Sequence, residues 1–155
     1  MIELDYIVRT EDEKIDELEA EMLNMELVDC PLIHGFTDKI YTREILMKAG
    51  TLITSKIHKT NHPYFVLQGK VSVKIDNGDW QLIEAPFRGV TKVGTRRVLY
   101  IWENTVWVTC HYNEDNCEDI ETIENRIVEP HINCIINKDI NKVYKELLNY
   151  KKELL

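Results

Sequence analysis

A chain of 155 residues, 44% apolar and 30% charged, is sized for one domain with a short appendage, and this composition excludes wholesale disorder. No run approaches the roughly 18 consecutive apolar residues of a membrane span, and the acidic opening segment does not read as a signal peptide. The formal net charge of −8 argues against DNA or an anionic membrane as partner.

That charge is unevenly spread. Residues 1–29 hold 2 basic and 11 acidic groups, a charge of −9. Within them Ile2, Leu4, Tyr6 and Val8 alternate, which predicts an edge strand. Thr10 stands three residues before Glu13, a capping-box pattern, and predicts a helix over 11–27. Ile15, Leu18, Met22 and Met25 form its apolar stripe, and its other face is almost wholly acidic.

Residues 30–112 hold 11 basic and 6 acidic groups, a charge of +5. Short segments rich in β-branched and aromatic residues alternate with turn signals there. They predict strands over 39–47, 51–59, 63–68, 70–76, 80–85, 97–103 and 105–112. Asn77-Gly78-Asp79 marks a hairpin turn. Gly50, Gly69, Gly89, Gly94 and Asn104 fall between the expected strands. Strands without intervening helices predict a mainly β fold, a small barrel or sandwich.

Residues 113–130 carry −6 and read as a polar loop with a short helix over 119–127. Residues 131–155 carry +2, and Ile140, Val143, Tyr144, Leu147 and Leu148 predict an amphipathic helix from 138 onward. Its small basic excess favours packing or dimerisation over membrane anchoring. The domain reading is therefore an N-terminal strand and acidic helix (1–29), a barrel (30–112), and an acidic loop with a C-terminal helical extension (113–155). Cys30, Cys110, Cys117 and Cys134 lack metal spacing and read as reduced thiols of a cytoplasmic protein, with Cys110 in the core.

The run Gly50-Thr-Leu-Ile-Thr-Ser-Lys-Ile-His58-Lys-Thr-Asn-His62-Pro-Tyr-Phe-Val-Leu-Gln-Gly69 resembles the first motif of the cupin family. Counting back from Gly69, the motif's Glu position falls on His62 and its two His positions on Lys56 and His58. Lys92-Val-Gly94-Thr-Arg-Arg97 resembles the second motif, with Arg97 at its His position. With Tyr-Thr-Arg-Glu-Ile at 41–45 and Asn-Thr-Val-Trp at 104–107, the run from about Cys30 to Glu129 is similar to small single-domain cupins of phage and prophage genomes. The resemblance implies a cupin-type barrel (double-stranded β-helix, or jelly roll), with helices at both ends, and a homodimer.

Metal-binding cupins use three His and one Glu, and His58 alone matches in kind. Lys56 and Arg97 as cations would repel a metal. A three-imidazole site of His58, His62 and His111 for a divalent transition metal is the alternative. Strand alternation places Thr54, Lys56 and His58 on one face, which the cupin register turns into the barrel. Tyr64 and Gln68 then join His62 on the next strand, and Arg97 with Trp107 or His111 points inward. The candidate ligand-binding set is thus Lys56, His58, His62, Tyr64, Gln68, Arg97, Trp107 and His111.

Acids are scarce among the strands, chiefly Glu44, Glu84 and Glu103, so an anion is the natural partner for Lys56 and Arg97. The competing reading is that Lys56 snorkels outward and Arg97 pairs with Glu44 or Glu84. Lys59, Arg88, Lys92 and Arg96 are candidates for a basic rim. Trp80 and Trp102 read as core or interface, and His34 and His131 as loop residues.

The functional expectation is non-catalytic binding of a small anion with no cofactor, a nucleotide or phosphorylated metabolite. In its concrete form this is a phage sponge that sequesters a host antiviral signal, a cyclic nucleotide or ADP-ribose-type molecule. The alternatives are a metal-dependent oxygenase or isomerase using His58, His62 and His111, and a virion or regulatory interaction module.

Overall fold

The structure, a computed structural model, describes residues 11–74, 79–129 and 134–137. The predicted strand at 2–8, the tip of the Asn77-Gly78 turn and the helix from 138 onward lie outside them. The order is α1 (Glu11–Met22), β1 (Leu32–Thr37), β2 (Ile40–Met47), β3 (Thr51–Thr54), β4 (His62–Lys74), β5 (Trp80–Glu84), β6 (Phe87–Thr91), β7 (Val98–Tyr112), α2 (Ile120–Ile127) and β8 (Cys134–Asn137). All strand pairing is antiparallel.

Two long strands, β4 and β7, organise the fold. The Val98–Tyr100 end of β7 pairs with β3, and its Thr105–Tyr112 end pairs with β2. On its other edge β7 runs along β4, whose two halves pair with β6 and β5 in turn. One end therefore reads β8-β3-β7-β4-β5 and the other β1-β2-β7-β4-β6. The shared strands bend where the β4–β7 register shifts, between Val66 and Val71. Met47, Ile53, Tyr64, Val66, Val71, Val73, Ile83, Leu99, Ile101 and Trp107 fill the space enclosed.

Four expected strands are thus two, because Gly69 and Asn104 mark a bulge and not chain reversals. Gly69 has φ +101, and a Cβ there would run into Thr105 Oγ1 and lie 2.6 Å from the Asn104 carbonyl oxygen. Glycine lets the two backbones touch at the bend. Gly89 also lies inside a strand, β6, against the ring of Tyr64. The strand expected over 51–59 stops at Thr54. Strands β1, β6 and β8 were not anticipated. β1 lacks a clean alternation of buried and exposed residues, whereas β6 alternates over only five residues.

Helix α1 is shorter than expected and ends at Met22. Its stripe behaves as predicted: Ile15 and Met22 are buried with Leu52, Val98 and Tyr100, and Leu18 and Met25 pack beside them. Arg96 joins this contact, bonded to Asp16 at 2.8 Å and Glu19 at 3.0 Å, and is not part of an exposed rim. Cys110 is half-buried.

Helix α2 begins at Asp119, whose carboxylate accepts from the Thr122 backbone N–H at 3.1 Å. Asp119→Ala leaves that donor without its cap. The expected loss is about 1 kcal/mol, read as a lower midpoint in urea denaturation. Ile123, Ile127 and Val128 bury against Tyr41. Beyond the helix, the Lys59 N–H donates to the Ile127 carbonyl at 2.8 Å and the Glu129 N–H to that of Ile57 at 2.9 Å. The acidic segment is thereby strapped across the barrel.

Candidate functional site

A cavity of about 170 Å³ opens between the two bent halves. Alternation along β2 turns Tyr41, Arg43, Ile45 and Met47 to one face, and the last three line the cavity. From β7 the same rule brings Trp107, Thr109 and His111. Ile53 and Leu99 complete its apolar wall, and Ile127 and Val128 of the strap close one side. The appendage beyond residue 112 is therefore part of the site.

Of the eight expected residues, the lining includes Lys56, His58, Arg97, Trp107 and His111. His62 lies directly behind, its ring 5.1 Å from that of His58 and 4.2 Å from that of His111. Tyr64 is set back in the core, stacked on Trp107 at 4.6 Å, with the Arg97 guanidinium over its ring at 5.1 Å. Gln68 is exposed, because the bulge after Val66 breaks the alternation that would have turned it inward. Within β3 the faces are the reverse of those expected: Ile53 lines the cavity and Thr54 is buried outside the lining; Ser55, Lys56 and His58 all reach the cavity because the strand ends at Thr54. Beyond it a bridge from His58 to Val128 holds the chain.

Sequence reasoning passed over Arg43, although the alternation Tyr41, Arg43, Ile45, Met47 carried the signal. Arg43 Nη2 donates to Glu124 Oε1 at 3.0 Å. Arg97 Nη1 donates to Thr91 Oγ1 at 3.1 Å, and its backbone N–H to Ser55 Oγ at 2.8 Å. Cys30 also lines the cavity. Burial, then the nearby Asp29 carboxylate, pushes its pKa up, so it stays a thiol and not a nucleophilic thiolate.

The three imidazoles are neutral at pH 7. Burial, then His62, Arg97 and Arg43, lowers the His58 pKa to about 3. Burial, then His62, Arg43 and His58, lowers that of His111 to about 3. Burial also lowers that of His62, against the bond to the Thr60 carbonyl at 3.1 Å. His58 Nδ1, His62 Nε2 and His111 Nδ1 are buried without a hydrogen-bond partner. Each such orphan costs about 1–3 kcal/mol until something polar reaches it.

Neutral imidazoles suit a transition metal as donors, but the arrangement does not. Among the described residues no group of three or more His, Cys, Asp or Glu is placed to hold a metal ion. The guanidiniums of Arg43 and Arg97 act on the same rings as like charges would on a dication. The residues present do not fit the metal that the fold's motif positions imply.

No family model and no curated protein matches this sequence. Solved structures do. Ectoine synthase from P. lautus is 12% identical, with a TM-score of 0.52 over 73% of this chain and 86% of that one. A double-stranded β-helix protein from Klebsiella pneumoniae is 14% identical, with a TM-score of 0.49 over 64% and 90% of the two chains. No helix among the described residues is long and apolar enough to cross a membrane. The antiparallel strand ladder and the likeness to ectoine synthase together give the chain a double-stranded β-helix fold.

Proposed function

We propose that the barrel binds a small organic anion and performs no chemistry on it. The observation that carries this reading is the cavity's charge: among the described residues Arg43, Lys56 and Arg97 line an otherwise largely apolar space, and no Asp or Glu does. A cation facing a low-dielectric cavity favours an anionic guest, and guanidinium reads carboxylate or phosphate. The orphaned nitrogen of His58 adds a polar atom beside the cations.

The volume narrows the guest. A dry cavity of about 150 Å³ accepts one benzene ring, so about 170 Å³ suits one ring or a short branched chain with a single carboxylate or phosphate. A cyclic di- or trinucleotide would leave most of its atoms outside. Sequestration of a nucleotide signal, the sponge role, then requires a guest that inserts only a base or one phosphate.

Isothermal titration with benzoate, inorganic phosphate and a cyclic nucleotide tests the reading. At least one should bind, and Arg97→Ala or Lys56→Ala should weaken it at least about tenfold, as expected on losing a charged hydrogen bond of about 1.5–3 kcal/mol. No binding by the wild type, or unchanged binding by both variants, would refute it.

A further inference from the structure

Arg43, a cation of the cavity, already carries an anion supplied by the chain. Arg43 lines the cavity from β2, and Glu124 approaches it from α2 without itself lining the cavity. The two side chains are 19% and 29% exposed, so the pair is only partly screened by water. The contact is single: Nη2 to Oε1 at 3.0 Å, not the two parallel bonds of a guanidinium–carboxylate fork. A guanidinium has five N–H donors, so a second anion can engage Arg43 before the first has left. Helix α2 does not depend on this contact. Ile123 and Ile127 are buried, and the Lys59–Ile127 and Glu129–Ile57 backbone bonds hold the strap.

We infer that Glu124 is a resident counter-anion which the carboxylate or phosphate of a guest displaces from Arg43. Arg43 is then an anion-recognition residue, and Glu124 a brake that sets affinity and screens out anions too weak to exchange. The inference rests on the anion-binding reading above and adds to it a residue pair and a direction. An anion that merely fits the cavity gains Lys56 and Arg97; one that also reaches Arg43 must outcompete a carboxylate held in place by the fold.

The test is isothermal titration of the full chain with benzoate and with inorganic phosphate. Glu124→Gln should bind a probe about fivefold more tightly than the wild type, the loss of a partly exposed competing ion pair. Glu124→Ala, a second variant with no side-chain amide, should show the same gain, with circular dichroism reporting that α2 is intact. Arg43→Met should bind more weakly than the wild type. In the Arg43→Met background Glu124→Gln should change affinity less than about twofold, because the competitor has nothing left to compete for. An equal gain in both backgrounds would mean only that a negative charge had been removed nearby, and would overturn the exchange. Should Arg97→Ala abolish wild-type binding while Glu124→Gln leaves affinity unchanged, the brake fails and the anion-binding reading stands. If neither probe binds any variant, both fall together.

Discussion

Lowering the pH from 7 to 5 is expected to cost the fold about 4 kcal/mol, through His58 and His111 alone. An unfolded chain gives each imidazole its ordinary pKa near 6.5, whereas burial and the adjoining His62, Arg43 and Arg97 bring both folded values to about 3. Between pH 6.5 and 3 the unfolded state therefore holds more protons. The sign follows: the stability is fully present above pH 6.5 and is lost as the pH falls toward 3. At pH 5 each histidine has moved about 1.5 pH units into that window, or about 2 kcal/mol apiece. Asp115, lowered to about 2 chiefly by its hydrogen bond to Arg126, loses its contribution only below its ordinary value of 3.8, outside the range from pH 7 to 5. Urea denaturation at pH 7 and pH 5 measures the difference. His111→Gln removes one of the two titrating rings, so its stability should fall about half as far over the same range. Equal stability of the wild type at the two pH values would show that the rings take up protons without strain.

The fold was legible where side-chain period and burial agree. β2, β5 and the two arms of β7 carry β-branched and aromatic residues, and their expected positions match within a residue or two. What escaped was continuity. A glycine between two apolar runs reads as a turn because φ > 0 is common there. The same freedom serves a bulge, and the difference lies in the partner strand, which sequence does not display. Gly69 against Thr105 is that case. β1 escaped for the opposite reason: with Leu32 and Ile33 exposed, it has no buried stripe to reveal it.

The site was half legible for the same reason. Spacing from Gly69 picked out Lys56, His58 and His62, and alternation on β7 offered Trp107 or His111, both of which line the cavity. Alternation failed wherever the strand was irregular: after Thr54, where the chain leaves the sheet, and after Val66, where the bulge turns Gln68 outward. Arg43 was readable from Tyr41, Ile45 and Met47, but its partner Glu124 stands 81 positions along the chain. An acidic segment that reads as solubilising charge supplies an anion to the cavity wall, and only the packing of α2 makes that connection.

Arg96→Met is expected to cost about 3–5 kcal/mol, because it removes the guanidinium held 3.0 Å from a buried carboxylate. The Arg96 side chain is 3% exposed and that of Glu19 8%, whereas Asp16 is 60% exposed and can return to water. The loss therefore falls on Glu19. A double variant, Arg96→Met with Glu19→Leu, removes both desolvated charges and should recover most of the stability in urea denaturation. A single variant less than about 1 kcal/mol below the wild type, or a double variant no better than the single, would refute the account. The pair also explains the charge pattern of the chain. Leu99 belongs to the core around the cavity and Val98 to the cluster under α1, and the two preceding arginines divide in the same way. Arg97 takes the cavity side and Arg96 the helix side, so one basic dipeptide serves the cavity and an acidic helix at once. The charge of −9 in residues 1–29 is in part a docking surface for the basic barrel, and at Arg96 and Glu19 the two meet out of water.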